Sequence, residues 1–194
     1  MFLETIKVVD GEIFHLDYHQ RRYESVVKSL GAVPLNLAKF INPPKQKGVL
    51  RCRLLYDAVS IYSVEYFPYK QKNIEQLKVV ETQDIEYSKK YANREPLERL
   101  YAQKERCDDI LIVIDGRVSD ISIANVAFLQ NGVWYTPKQP LLAGTTRERL
   151  LKDGTIVAKE ILLRDIYEYE RVALLNAMID FAIIPQQNIR EIIC

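Results

Sequence analysis

The 194-residue sequence has no surplus of charge of either sign: 27 lysines and arginines stand against 26 aspartates and glutamates, a formal net charge of +1. Basic residues are interspersed with acids rather than gathered in blocks, so the chain has no electrostatic footprint for nucleic acid or an anionic membrane. Cysteine is scarce. Cys52, Cys107 and Cys194 form an odd, widely spaced set with no Cys-x-x-Cys pair, which argues against a disulfide framework or a zinc site and predicts reduced thiols. Also missing are a basic-then-apolar leader in Met1-Phe-Leu-Glu-Thr-Ile-Lys7 and any apolar run long enough to cross a bilayer. A cytoplasmic location is the expectation. There is no internal repeat or low-complexity tract. What is present, 48% hydrophobic and 27% charged residues, suffices to bury a sizeable core in one domain or two small ones.

Periodicity and turn residues give the organisation. A strand over Thr5–Val9, a turn at Asp10-Gly11 and a second short strand lead into a helix from Leu16 to Leu30, ended by Gly31 and Pro34. The β-branched and aromatic runs Gly48–Tyr56 and Val59–Tyr66, separated by Asp57-Ala58, predict a hairpin. Pro68 to Gln76 is polar and proline-led, a linker between a small N-terminal lobe, residues 1–70, and a second lobe, residues 71–194, that begins with a strand at Leu77–Glu81. Asp115 to Pro137 reads as two strands around an Asn131-Gly132 hairpin turn. A short helix near Arg164–Glu170 and an apolar strand, Arg171–Asn176, follow. Strands and helices in both halves predict an α+β, or mixed α/β, fold in two lobes.

Gly144-Thr-Thr-Arg-Glu-Arg-Leu-Leu151, behind the apolar turn Pro140-Leu-Leu-Ala143, is a glycine turn opening a helix. Thr145 is placed to cap it and Glu148 to reach back as capping-box partner, leaving backbone N–H groups and the positive end of the helix dipole for an anion such as a phosphate. On these residues alone, a well-capped surface helix is the stronger reading, since capping boxes are common and most bind nothing.

The wider run resembles the C-terminal half of the class IV aminotransferases, fold-type IV pyridoxal-phosphate enzymes that include branched-chain and D-amino-acid aminotransferases and aminodeoxychorismate lyase. The residues that carry the resemblance are Asp120, Asn125, Thr136-Pro137, Leu142-Ala-Gly144 and Thr146-Arg147. Two further elements join them. Lys90-Tyr-Ala-Asn93-Arg94 is similar to the Lys-x-x-Asn-Arg element of the lyase branch, and His19-Gln-Arg-Arg22-Tyr-Glu-Ser25 to the family's His-x-x-Arg-x-x-Ser signature. The chain is shorter than most of the family.

The resemblance implies a two-lobed D-amino-acid-aminotransferase-like fold and a pyridoxal 5′-phosphate cofactor held as a Schiff base on Lys90, selected over Lys89 by the spacing to Asn93. Lys-Lys pairs at strand edges are otherwise solvated. It gives Asp120 the place beside the pyridine nitrogen, usually a glutamate, and Ser122 and Ile123 places near the ring, Ile123 where a second serine is common. Asp120→Asn is then expected to keep the shape of the site and remove its charge. Arg22, with Gly144, Thr145 and Thr146, is implied as the phosphate site, a guanidinium fork suiting an oxyanion. His19 has no chemical role. Arg51 and Arg53 share one strand face; Arg53 is the candidate for a substrate carboxylate, surface solvation being the alternative. Asn176, in Asn176-Ala177-Met178, resembles the family's late turn at the active-site mouth, a buried turn asparagine being its competitor. The implied activity is cleavage of aminodeoxychorismate to 4-aminobenzoate and pyruvate, or else amino-group transfer to D-amino or branched-chain substrates; a cofactor-binding protein without turnover is the third reading. No metal, nucleic acid or membrane is implied, and a homodimer with active sites near the subunit interface is.

Overall fold

Side chains alternate inward and outward along Phe2-Leu-Glu-Thr-Ile-Lys-Val-Val9, so Phe2, Glu4, Ile6 and Val8 are buried and the residues between them half-buried. In the computed structural model, which describes residues 1–83 and 85–194, the chain divides into two compact units: residues 1–71 with 89–93, and residues 72–88 with 94–194.

In the first unit β1 (Phe2–Val9) turns through Asp10 and Gly11, both at positive φ (50° and 87°), into β2 (Glu12–Ile13). Helix α1 (Leu16–Ser29) and the hairpin of β3 (Val49–Tyr56) and β4 (Ile61–Pro68) follow. The sheet order is β2-β1-β3-β4 and every pairing is antiparallel. Helix α1 buries His19, Tyr23, Val26 and Val27, a helical spacing that packs one stripe against the apolar face of the sheet. Residues 90–92 run beside the start of β1: the Leu3 amide donates to the Lys90 carbonyl at 2.9 Å and the Ala92 amide to the Met1 carbonyl at 3.1 Å.

The second unit contains β5 (Leu77–Thr82), α2 (Glu95–Tyr101), β6 (Asp109–Ile114), β7 (Arg117–Ile121), β8 (Asn125–Gln130), β9 (Val133–Pro137), α3 (Thr145–Lys152), β10 (Val157–Lys159), β11 (Arg171–Asn176), β12 (Asp180–Ile183) and α4 (Ile189–Ile192). Its sheet runs β10-β9-β8-β7-β6-β5, with β11 also on β8 and β12 on β11. The β5–β6 and β9–β10 pairs are parallel, the others antiparallel. Central strands β8 and β11 are covered on both faces: Val126, Phe128, Val172 and Leu174 enter one apolar cluster, and Ala127, Ala173 and Leu175 another with Leu150 and Ile156. That is why Val126-Ala-Phe128 and Val172-Ala-Leu-Leu175 are continuous rather than alternating apolar runs.

The mixed α and β content matches the expectation, and Asn131-Gly132 is the expected turn, with φ of 52° and 76° suiting a type I′ hairpin. Residues 115–137 differ from it, holding three strands rather than two. The Ile121 amide closes on the Ala124 carbonyl, and the chain reverses to set Asn125 opposite Asp120. The helix expected near Arg164 is a 3-10 segment, Leu163–Glu168. In place of reduced thiols throughout, the structure pairs Cys107 with Cys194 and leaves Cys52 as a buried free thiol. The reason is topological. Ile193 and Cys194 lie parallel to the start of β5, with the Cys194 amide donating to Leu77 and the Val79 amide to Cys194, which brings the last residue to Cys107 at the entry to β6.

Candidate functional site

In the first unit the chemistry gathers on Glu4, a carboxylate at an inward position of an otherwise apolar strand face, with no exposure. Arg22 grips it as a fork, Nε to Oε1 at 2.8 Å and Nη2 to Oε2 at 2.5 Å, and His19 Nδ1 lies 2.6 Å from Oε2. His19 and Arg22 reach the same acid because they lie three apart on α1. Burial opposes the charge on Glu4, but the Arg22 charge and the hydrogen bonds from His19 and Arg22 outweigh it and hold the carboxyl at about 2. Burial pushes the His19 imidazole below its ordinary value against the pull of Glu4, with the Arg22 and Lys90 charges pushing the same way as burial. Sequence motifs do not single out Glu4, although a carboxylate in register with Phe2, Ile6 and Val8 is a visible signal. On the same sheet Arg53 faces Glu65 across the β3–β4 ladder, at 3.7 Å, and Arg51 lies over the Phe67 ring.

In the second unit Asp120, 3% exposed, sits at the end of β7. Its Oδ1 accepts from Asn125 Nδ2 at 2.7 Å and its Oδ2 from the Leu142 amide at 2.9 Å; the same Asn125 Nδ2 donates to the Leu142 carbonyl at 2.8 Å. Burial raises the Asp120 carboxyl to about 6, against those hydrogen bonds and the Arg147 charge. Because both oxygens accept N–H groups, Asp120→Asn does not preserve the site as expected: the new amide group must face one of two donors.

Two residues past Leu142 the chain enters α3. Its N-cap is Gly144, not Thr145, and no side chain caps it. Glu148 is therefore the fourth helical residue, one position too late for a capping box. The first helical bond runs from the Glu148 amide to the Gly144 carbonyl, and Thr145, Thr146 and Arg147 of the first turn are all buried. Arg147 donates to the Pro137 carbonyl at 2.8 Å and to Thr136 Oγ1 at 3.3 Å, while Thr136 donates to the Val126 carbonyl. The Thr-Pro and Thr-Arg pairs of the sequence thus meet as one buried contact between β9 and α3.

Ser122 is buried; its amide donates to Asp109 Oδ1 and its carbonyl accepts from Arg94 Nη2 at 2.9 Å. Ile123 is 40% exposed. The side chain of Asn176 builds its own turn, accepting from the Met178 and Ile179 amides and donating to the Ile123 carbonyl. A cavity of about 300 Å³, lined among others by Tyr87, Asp115, Ser119, Gln139, Pro140 and Leu141, opens beside the 140–144 turn. The Ser119 hydroxyl is buried there without a hydrogen-bond partner among the described residues.

This fold and these paired elements define a family. The family model for amino-transferase class IV matches residues 57–186, and the chain belongs to that family of pyridoxal-phosphate-dependent enzymes. Its relatives narrow the picture. An uncharacterised protein of Haemophilus influenzae is 39% identical over 90% of this chain and 96% of its own. A Schizosaccharomyces pombe protein described as "Putative aminodeoxychorismate lyase" is 31% identical over 87% of this chain and 82% of its own. The crystal structure of a "putative 4-amino-4-deoxychorismate lyase" from Haemophilus somnus superposes with a TM-score of 0.84 at 40% identity, covering 91% of this chain and 95% of that one.

The residues present suit such a cofactor chemically. Asp120 has used only part of its acceptor capacity, about four lone-pair positions for an ionised carboxylate. Two buried threonines open α3, where backbone amides and the helix dipole favour an anion.

Proposed function

We propose that this chain is a pyridoxal-phosphate-dependent lyase that cleaves aminodeoxychorismate to 4-aminobenzoate and pyruvate. The observation that carries the reading is the 40% identity to the Haemophilus somnus structure over nearly the whole of both chains. The Lys90-x-x-Asn93-Arg94 element supports it. The cofactor supplies an aldehyde that takes an amine and a ring that accepts electrons. Lys90 contributes the amine that holds it, and the same amine takes the proton from the substrate α-carbon. Asp120 would face the pyridine nitrogen and hold it protonated, and Ser122 and Ile123 would lie beside the ring. Gly144, Thr145 and Thr146 offer amides and hydroxyls to the phosphate, and Arg22 its guanidinium. Arg53 and Asn176 are assigned to the substrate, a role for which Arg53 must release Glu65.

Borohydride reduction of the protein incubated with pyridoxal 5′-phosphate, followed by peptide mapping, is expected to place the pyridoxyl group on Lys90; a label on Lys89 or Lys104 rejects the assignment. Incubation with aminodeoxychorismate should release pyruvate together with 4-aminobenzoate. Production of a keto acid from D-alanine or a branched-chain amino acid, without that release, would make the chain a transaminase instead. A homodimer is part of the proposal, and a fully active monomer by light scattering would remove it.

A further inference from the structure

Gly144 has φ of −74°, a backbone any residue adopts, so its lack of a side chain answers a demand of space rather than conformation. What occupies the space is Asn125. A Cβ on Gly144 would lie 2.0 Å from Asn125 Oδ1 and 3.2 Å from its Cγ, and Asn125 has nowhere to retreat. It is 4% exposed, and its Nδ2 is committed both to Asp120 Oδ1 and to the Leu142 carbonyl. Leu142 closes the ring by donating its amide to Asp120 Oδ2. Acid, amide side chain and turn backbone therefore form a closed three-membered network around two buried side chains.

We propose that Asn125 is a positioning residue: its carboxamide ties the Asp120 carboxylate to the 142–144 turn, so that one side chain sets both the acid and the start of α3, and Gly144 is a glycine to admit it. Asn125 holds this place because β7 and β8 are joined by the tight Ser122-Ile123-Ala124 turn, which sets position 125 directly opposite position 120. One amide N–H donates to the charged form of the acid, and the other anchors the turn. Displacing Asn125 thus removes one of the turn's two tethers, leaving the Leu142 amide on Asp120 Oδ2, and strips a charge-stabilising donor from Asp120 together. The proposal rests on the proposed function only for what Asp120 does to a cofactor; the network itself belongs to the bare protein.

The test accordingly uses cofactor-free protein. The carboxyl of Asp120 is titrated by carbon-13 NMR, assigned by its loss in Asp120→Asn, in wild type, Asn125→Ala, Gly144→Ala and the double variant. Asn125→Ala is expected to raise the Asp120 midpoint by about 1–2 pH units, the worth of one hydrogen bond to a charged group. Gly144→Ala should raise it in the same direction in the wild-type background and leave it unmoved when Asn125 is already alanine, since the atoms that the added methyl would clash with are then gone. Hydrogen exchange at the Leu142 amide is the second readout, with protection expected to fall at least about tenfold in each single variant. An Asp120 midpoint unmoved in Asn125→Ala overturns the proposal, as does an equal Gly144→Ala shift in both backgrounds. If Asn125→Ala does not fold, Gly144→Ala alone decides: unchanged Leu142 exchange and an unchanged Asp120 midpoint sink it. Failure of the lyase reading would leave all these outcomes in place.

Discussion

Glu4 shows how a single residue can hold more of a unit than its size suggests. Replacing Arg22 by alanine leaves a fully buried carboxylate without its cation, the circumstance in which breaking a buried pair costs about 3–5 kcal/mol. Urea unfolding of Arg22→Ala should show a loss of that order; a loss below about 1 kcal/mol would mean that His19 and solvent satisfy Glu4 alone. Arg22→Lys keeps the charge but not the planar fork, and is expected to recover only part of the loss. The measurement also separates two roles for Arg22, because a stability loss in cofactor-free protein reports on Glu4 and a change in cofactor retention reports on phosphate. Asp120 is the opposite kind of acid. Its neighbours stabilise its charge less than burial opposes it, so its carboxyl is raised where that of Glu4 is lowered. The difference is the guanidinium fork, which Asp120 lacks: Arg147 acts on it only through its charge, while its donors grip Thr136 and Pro137.

Among the elements, those specified by local chemistry are legible in the sequence. Asn131-Gly132 sits between apolar runs and demands positive φ at both positions, and Arg171–Asn176 reads as an apolar strand and is one, to the residue. Elements specified at a distance are not. The break after Ile121 is a turn without glycine or proline, fixed by the pairing of Asp120 with Asn125, so neither of the strongest turn residues announces it. Sequence patterning puts the cap of α3 one residue late because a threonine followed three positions on by a glutamate is a capping signature, whereas this helix starts at Gly144, where Asn125 fills the space of a side chain and Arg147 reaches back to β9. The site is legible as a pattern of residue types, through resemblance, while the partners of those residues are not: nothing near Arg22 in the sequence points to Glu4, eighteen positions away. The contact of α3 with β9 carries its own prediction. Arg147→Ala leaves the Pro137 carbonyl buried without its donor and is expected to cost about 1–3 kcal/mol in urea unfolding, with Arg147→Lys partly restoring it. A neutral alanine variant would show that α3 is held by Leu150 and its apolar neighbours alone.

For the whole molecule, the two acids make opposite demands on pH. Glu4 and His19 both have lowered values in the folded state. The contribution of His19 is complete above its unfolded value of about 6.5 and fades as the pH falls through it; that of Glu4 is complete above about 4.5 and is lost towards about 2. Asp120 runs the other way. Its carboxyl is raised to about 6 from an ordinary value of 3.8, so its effect on stability is most favourable below the ordinary value and is lost as the pH rises through about 6, a swing of at most about 3 kcal/mol. Acidification from pH 7 to 4 therefore weakens the unit containing Glu4 and His19 while relieving the unit containing Asp120. The sequence supplies a reporter, because its single tryptophan, Trp134, lies in the second unit, edge-on to Phe181 with ring centres 5.0 Å apart. Between pH 6.5 and 4, amide exchange corrected for its intrinsic pH dependence should quicken in β1 and α1 and stay slow in β8 and β11, with native Trp134 emission throughout. Loss of protection in both units at one pH, together with a Trp134 shift, would show that they unfold as a single cooperative body and that the balance of the two acids does not govern the acid limit of the fold.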